Sequence, residues 1–421
     1  MIYYNNFNKL SSVYFGDKQI SKVYYGNYKV YPSSDPTPTP SSDPLFTATL
    51  ASDVASGSKL FWYVYKYNAP TSSTSASWSE AAILASKSYS KGDTISIYAS
   101  DITGTSSFQG DIYGIHTFSD IYSEIKLENG INDWSWDVGC SFSSLKNLKS
   151  ADLSLYTKDG YESLTSMFNS CSSLTSVTLN QTLASQATST KSMFSGCTSL
   201  EHFETDLMWR NVTNSMYMFA GCTSLTSITL SNFGAFSTSN LYNGMFSGCT
   251  KLTEFTLNGN CLATSQYTYY YLEGANNITS IIDNGYRAEI SLDGTMRGYL
   301  PSSLSKFHLP NATLGSVTSM SLAFYGLYNL NDVNLSSATF INLSDATQMF
   351  YGNNLRINLA SATFDSLTQP NAKYMFTNAD VTEIQINSTG QAKLIELNQT
   401  SKGIGLPSDW NDTSYSGWTI V

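Results

Sequence analysis

The stretch Met218-Phe219-Ala220-Gly221-Cys222-Thr223-Ser224-Leu225-Thr226-Ser227-Ile228-Thr229-Leu230 recurs along the chain. Its first half returns as Met167-Phe168-Asn169-Ser170-Cys171-Ser172-Ser173-Leu174, as Met193-Phe194-Ser195-Gly196-Cys197-Thr198-Ser199-Leu200 and as Met245-Phe246-Ser247-Gly248-Cys249-Thr250-Lys251-Leu252. Weaker copies start at Ser141, Tyr271, Thr295, Ala323, Met349 and Met375. Successive starts lie 24 to 28 residues apart, so residues 137–400 divide into about ten units of about 26 residues. A fixed period of this length marks a stacked array, because one such unit cannot bury its apolar face alone.

The period and the core Leu225-x-x-Ile228-x-Leu230 make each unit a leucine-rich repeat. Each is expected to carry one short strand, such as 227–230, with Ile228 and Leu230 inward and Thr229 exposed, because side chains alternate across a strand. The Met-Phe pair and the Cys fill the interior from the opposite limb. At about 4.8 Å per strand, ten units give a rod roughly 50 Å long. Between Tyr271 and Leu309 the motif loosens, with Ala275 in the Cys place, and a bend or irregular rung is expected there.

One outward residue stands between the two inward ones of each strand: Asp152, Thr178, Glu204, Thr229, Thr256, Ile282, His308, Asn334, Asn358 and Gln385. Two residues earlier stand Ser150, Ser176, His202, Ser227, Glu254, Ser280, Lys306, Asp332, Arg356 and Glu383. The sheet face is thus two parallel polar columns over an apolar inner row, and solenoids bind ligands along such faces. Thr178, His202, Glu204, Thr229, Glu254, Thr256, Lys306, His308 and Asn334 are the candidate ligand-binding residues; a merely solvated sheet is the alternative. Tyr267, Tyr269 and Tyr270 form a candidate aromatic patch, since ring faces beside hydroxyls and amides suit glycans, with packing inside an irregular rung as the other option.

Cys171, Cys197, Cys222 and Cys249 fall one per repeat beside Phe and Leu. A straight ladder cannot converge on a tetrahedral metal, and the thiol is a small, weakly polar filler. Reduced, buried cysteines are expected, with no metal and no cofactor. Cys140 and Cys261 stand outside the ladder. No nucleophile elbow, metalloprotease, phosphate-loop or calcium-loop pattern occurs. His202 and His308 fall roughly 20 Å apart on the array and cannot share a proton or an ion, and His116 lies in another segment. Asp133 and Asp137 read as solvated carboxylates rather than a glycosidase pair. No catalytic residue is assigned, and the Asn-x-Ser/Thr sequons, such as those at Asn211, Asn277 and Asn311, follow from composition.

Charged residues make up 13% of the 421, and aromatics 14%, with 29 tyrosines. Ser, Thr and Asn must therefore furnish the polar surface. Basic residues number 22 against 32 acidic ones, a net charge of −10, and such a field disfavours nucleic acid and anionic membranes as partners. No stretch approaches the roughly 18 apolar residues of a membrane span. Met1–Ile20 lacks the basic start and apolar run of a secretory signal. Residues 1–31 hold a ten-residue repeat, Val13–Ile20 and Val23–Val30, each a β-rich run broken by Gly16-Asp17 or Gly26-Asn27 and so a small hairpin. Hairpins this short are not stable alone, so Tyr14, Phe15, Tyr24 and Tyr25 are expected to dock on a partner. Residues 32–44 carry five prolines and form an extended spacer. Residues 45–136 read as strands at Leu60–Tyr67, Thr94–Tyr98 and Ile121–Leu127 with a short helix at Ser79–Ala85. They make a small β-sandwich, or in part a cap on the solenoid, and residues 401–421 a C-terminal cap. The expected fold class is mainly β: a leucine-rich-repeat solenoid preceded by a small β domain and an N-terminal β-hairpin anchor.

The pattern M-F-x-G-C-x-S-L-T-x-x-x-L resembles the BspA-type leucine-rich repeats of bacterial surface proteins, which some phage and protist proteins share. The likeness covers about two-thirds of the chain and implies a parallel β solenoid with an adhesive, non-enzymatic role. Val13–Ile20 resembles the N-terminal repeats of structural proteins from tailed phages of gut bacteria. Together the two resemblances imply a virion fibre protein that docks on other virion proteins by its N-terminus. Its solenoid would attach to a host-surface glycan or protein, and the chain would form a homo-oligomer, a trimer by analogy with phage fibres. A BspA-type adhesin on a bacterial cell surface is the alternative, and a polysaccharide depolymerase a distant third.

Overall fold

The computed structural model describes residues 13–15, 18–20, 23–25, 28–31, 44, 46–58, 60, 62–66, 77–81, 85–97, 112–116, 120–127, 142–155, 162–233, 244–258, 272, 275–284, 297, 300–400 and 403–421. The spine is a nine-stranded sheet whose strands follow one another in chain order: His202–Thr205, Ser227–Ser231, Glu254–Asn258, Ser280–Asp283, Lys306–His308, Asp332–Asn334, Asn354–Leu359, Asp380–Ile386 and Trp418–Ile420. Every neighbouring pair is parallel. A parallel pair needs a crossover, and the rest of each repeat supplies it. The protein is a mainly β solenoid of leucine-rich repeats.

Leu225, Ile228 and Leu230 are buried. Thr229 is half-buried rather than open, because strands bearing Glu204 and Thr256 flank it on both sides. The inner row has two polar members, Thr205 and Asp283, both buried. Thr205 Oγ1 accepts hydrogen bonds from the Leu207 amide at 3.2 Å and from Trp209 Nε1 at 3.4 Å.

On the opposite limb the Met and Phe of the motif are buried in every copy from Met167 to Met375 that keeps them. The phenylalanines stack as a column: Phe142, Phe168, Phe194, Phe219 and Phe246 follow at centroid distances of 5.6, 5.6, 5.5 and 5.8 Å. Phe324, Phe350 and Phe376 continue it at 5.3 and 5.4 Å. The motif glycines form a second column at Gly196, Gly221 and Gly248, with φ of +77°, +75° and +77°. At Gly248 a Cβ would stand 3.5 Å from the backbone of Gly221, an ordinary contact, so it is the left-handed turn that favours glycine there.

Polar side chains bind one rung to the next. Asn180, Asn211, Asn277, Asn311, Asn329 and Asn342 each donate Nδ2 to a backbone carbonyl 26 or 27 residues earlier, at 2.6–2.9 Å. Thr198, Thr226, Thr253, Thr279, Ser305 and Ser344 donate their hydroxyls to carbonyls 25 to 27 residues earlier, at 3.0–3.3 Å. This accounts for part of the Ser, Thr and Asn content, since these short neutral side chains carry the donors that satisfy a neighbouring rung's carbonyls. It also gives the sequon asparagines Asn211, Asn277 and Asn311 a structural task.

At the N-terminal end, Phe46–Leu50 pairs antiparallel with Thr94–Ile97 and with Tyr122–Leu127. Tyr122–Leu127 in turn pairs in parallel with Ser150–Asp152, which pairs with Ser176–Thr178. This five-stranded sheet runs across residue 136, so the first solenoid edge is covered by the preceding segment. Tyr122 is buried and donates its hydroxyl to the Leu60 carbonyl at 2.9 Å. A separate three-stranded sheet joins Ser77–Ala81, Trp62–Lys66 and Ile112–His116. The helix expected from Ser79 does not form there: Ser77–Ala81 is a strand with five residues paired to Trp62–Lys66. Local helix preference of a Glu-Ala run is worth tenths of a kcal/mol and loses to a full ladder.

The strand ladder runs through Ser280–Asp283 and Lys306–His308, while much of the rest of the rungs between Tyr271 and Leu309, where a bend or irregular rung was expected, lies outside the described residues. The ladder is interrupted between Ser176–Thr178 and His202–Thr205, which form no pair among the described residues. Val177 and Leu179 are only half-buried there, and the chain turns directly into helix α1, Gln181–Gln186. Asn180 Oδ1 caps that helix by accepting from the Leu183 amide at 2.8 Å, and Leu183 and Ala184 are buried. At the C-terminal end Trp418–Ile420 adds the last strand, and Trp410 packs edge-on against Trp418 at 4.8 Å and Tyr415 at 5.1 Å. Near the N-terminus, Val13–Phe15 pairs with Lys18–Ile20, and Val23–Tyr25 with Tyr28–Tyr31, as two antiparallel hairpins. Tyr14, Phe15, Tyr24 and Tyr25 are positions on those strands.

Candidate functional site

The ladder register sets the two outward columns. His202 lies beside Ser227, Ser227 beside Glu254, Glu254 beside Ser280, and onward through Lys306, Asp332, Arg356 and Glu383. Glu204, Thr229, Thr256, Ile282, His308, Asn334, Asn358 and Gln385 follow as the second column. Thr178 sits on the other sheet, across the ladder interruption, and is exposed. His202, Glu204 and Glu254 are exposed, and His202 Nδ1 lies 2.9 Å from Ser227 Oγ and 3.2 Å from Thr226 Oγ1. Thr256, like Thr229, is half-buried.

At the C-terminal end these positions converge on a concavity. Asp332, Asn334, Arg356, Asn358, Glu383 and Gln385 line a depression of about 190 Å³, floored by Val333 and Ile357. Lys306 and His308 stand on the adjacent strand. Along the first column the formal charges alternate from Lys306 to Asp332, Arg356 and Glu383. Arg356 Nε binds Glu383 Oε2 at 2.8 Å, and Glu383 Oε1 accepts from Thr419 Oγ1 at 2.8 Å. His308 Nε2 lies 3.0 Å from Asp332 Oδ1 but without the alignment of a hydrogen bond. Asn334 Oδ1 accepts from the Ser336 amide and Asn358 Oδ1 from the Ala360 amide, both at 3.1 Å. Each is an Asx turn that pins the side chain near the C-terminal end of its strand.

Of the residues singled out from sequence, Asn334 lines the depression and Lys306 and His308 border it, while the others spread along the rod. Arg356, Asn358, Glu383 and Gln385 stood in the columns but were not singled out. The signal that marks Arg356 and Glu383 is the alternation of charge at equivalent repeat positions. Tyr267, Tyr269, Tyr270, Asp133, Asp137, Cys140 and Cys261 lie outside the described residues. A different tyrosine group reaches the surface: exposed Tyr325 stacks on half-buried Tyr351 at 4.9 Å, and Tyr328 stands 71% open beside Gly352.

The four ladder cysteines are free and buried, and each Sγ donates to the carbonyl of a motif phenylalanine one rung back, Phe142, Phe168, Phe194 or Phe219, at 2.9–3.2 Å. Burial pushes the Cys171 and Cys249 thiols up to about 12 and those of Cys197 and Cys222 further in the same direction. They are fillers of the interior with little thiolate character. Among the described residues no group of three or more His, Cys, Asp or Glu side chains is placed to hold a metal, and no helix is long and apolar enough to cross a membrane.

Residues 304–397 match a family described as "Mycoplasma protein of unknown function, DUF285". No curated protein gives a significant match. Among solved structures, a leucine-rich repeat protein from Bacteroides ovatus ATCC 8483 is similar at 10% identity and a TM-score of 0.20, over 76% of this chain and 97% of that one. Residues 114–214 and 193–285, which include all four complete Met-Phe-x-Gly/Ser-Cys motifs, match the family described as "BspA type Leucine rich repeat region", in six copies.

Proposed function

We propose that this chain is a non-enzymatic adhesion protein of a virion fibre, docked on other virion proteins through residues 1–31 and attaching to a host-surface glycan or protein by its sheet face. The observation that carries the reading is the face itself: two register-locked polar columns, ending in a concavity where Lys306, His308, Asn334, Arg356, Asn358 and Gln385 gather. A rigid face of this kind pre-orders its side chains and so lowers the entropic cost of holding a ligand. The match to BspA-type repeats supports an adhesive, surface-displayed role. The hairpins with Tyr14, Phe15, Tyr24 and Tyr25, followed by a 13-residue proline spacer reaching up to about 40 Å at 3.1 Å per residue, suit a protein that grips at one end and explores at the other.

Two preparations test this. A truncation starting at Leu45 should lose incorporation into particles while keeping its fold. The triple variant Asn334→Ala, Arg356→Ala, Asn358→Ala should incorporate normally and lose host attachment. Full occupancy of the truncation on particles refutes the docking assignment, and unchanged attachment of the triple variant refutes the face. A cell-surface adhesin of a bacterium is the second reading, favoured by the same repeat match; surface labelling of the producing cell, with none on particles, would select it.

A further inference from the structure

Which ligand the face selects depends on the hydrogen-bonding groups that the protein has not already used. Four of the side-chain acceptors around the depression are consumed internally. Asn334 Oδ1 and Asn358 Oδ1 take backbone amides at 3.1 Å, and both oxygens of Glu383 are held, by Arg356 Nε and Thr419 Oγ1, at 2.8 Å each. Asp332 Oδ1 faces His308 Nε2 at 3.0 Å. The donors are in the opposite condition. Among the described residues the two terminal nitrogens of Arg356, Nδ2 of Asn334 and Asn358, and Nζ of Lys306 have no protein partner, and the Arg356 side chain is 70% exposed. The acceptors still open are both carboxylate oxygens of Asp332 and the Gln385 amide oxygen.

A site with a free guanidinium edge, two open amide donors and three open acceptors is complementary to an anion that also carries hydroxyls. The Glu383 contact orients Arg356 through Nε and leaves the Nη pair to meet a planar carboxylate by two parallel hydrogen bonds. Glu383 and Asp332 also keep phosphate or sulfate dianions at a disadvantage, because like charge repels them more than a monoanion. The volume of about 190 Å³ lies below the roughly 300–1,000 Å³ of drug-sized sites and takes one terminal ring rather than a buried chain.

We infer that the depression binds the carboxylate-bearing sugar of an acidic glycan, a uronic or nonulosonic acid, with Arg356 on the carboxylate, Asn334 and Asn358 donating to ring or carbonyl oxygens, and Asp332 and Gln385 accepting from hydroxyls. This inference rests on the sheet face being the ligand face.

The test is titration of the full chain with glucuronate, N-acetylneuraminate and, as the neutral counterpart, glucose, read by saturation-transfer NMR. At least one acid should bind about tenfold or more tightly than glucose, a difference of about 1.4 kcal/mol. Arg356→Gln should abolish that preference with an unchanged melting temperature, and Arg356→Lys should keep a weakened one, since a point charge replaces the fork. Equal binding of glucose and the acids, no binding of either acid, or an unaltered preference in Arg356→Gln each overturns the inference. If the acids fail while the triple variant still loses host attachment, the ligand class is wrong and the face stands. If attachment persists in the triple variant, the face itself falls.

Discussion

Phe194 occupies the middle of the stacked aromatic column and is fully buried. Its ring lies 5.6 Å from Phe168 at 4°, 5.5 Å from Phe219 at 11°, and 5.3 Å from Phe203 at 53°. Phe→Ala in a core costs about 3–5 kcal/mol, and aromatic pairs contribute roughly 0.5–1.5 kcal/mol beyond burial. With three pairs lost and rungs fixed above and below, the gap cannot collapse, so Phe194→Ala is expected near the top of that range, about 4–5 kcal/mol. Phe194→Leu keeps most of the apolar volume and loses the rings, for about 1–3 kcal/mol. Phe376, the last ring of the column, has Phe350 alone as an aromatic neighbour at 5.4 Å among the described residues, so Phe376→Ala should cost about 1 kcal/mol less than Phe194→Ala. In a one-dimensional array the central loss also uncouples the two halves. Urea unfolding of Phe194→Ala by circular dichroism should therefore broaden into two steps, and hydrogen exchange should show the weakened rungs around it. A cost below about 1.5 kcal/mol, or Phe376→Ala as damaging as Phe194→Ala, would refute the stacked-column account.

Asn353 takes the cysteine place in its repeat, donates Nδ2 to the Leu327 carbonyl at 2.7 Å and buries an unsatisfied Oδ1. Asn353→Cys should raise stability by about 1 kcal/mol, because the Leu330 amide still serves that carbonyl at 2.9 Å; a fall in the urea midpoint contradicts this. Ser192 adopts a left-handed φ of 52° in the position that Gly244 fills two repeats on, so Ser192→Gly should stabilise by about 0.5–1 kcal/mol, and a lowered midpoint would show that the turn is not strained. The raised thiols have a pH signature. An unfolded cysteine ionises near pH 8.5 while these keep their protons in the fold to about 12 or beyond, so their contribution is whole below about 8.5 and falls as pH climbs. The slope is up to about 1.4 kcal/mol per pH unit for each thiol, and urea midpoints at pH 8 and 10 should differ less in Cys222→Ala than in the parent. Native thiol labelling at pH 8 should leave Cys197 and Cys222 unmodified until denaturant is added.

The register of the outward columns was legible residue by residue, from His202 beside Ser227 to Asn358 beside Gln385. The reason is physical: with one face buried, a one-residue slip would send Leu230 or Ile357 outward, so a constant period is enough to fix the pairing. Residues whose conformation depends on distant partners were not legible. Ser79–Ala81 reads as helix locally and becomes strand because Trp62–Tyr63–Val64 needs a neighbour. The interruption after Thr178 is followed by α1, which the motif does not encode. The depression was hidden for another reason. Asn334 and Asn358 look like interchangeable polar residues, and only the Asx turns to Ser336 and Ala360 show that their oxygens are spent and their amide donors are not.

Scaffold and site use different chemistry in this molecule. The rungs are joined by apolar stacking and by short neutral donors such as Asn277, Asn342, Thr226 and Ser344, none of which is screened by salt or altered by pH near neutrality. The formal charges along the C-terminal half of the face stand together in one column, Lys306, Asp332, Arg356 and Glu383. Salt bridges in such exposed positions add little to stability, so their presence in a chain with only 13% charged residues has no structural need behind it. The rod should therefore keep its melting temperature as ionic strength rises, while attachment through Arg356 weakens with salt.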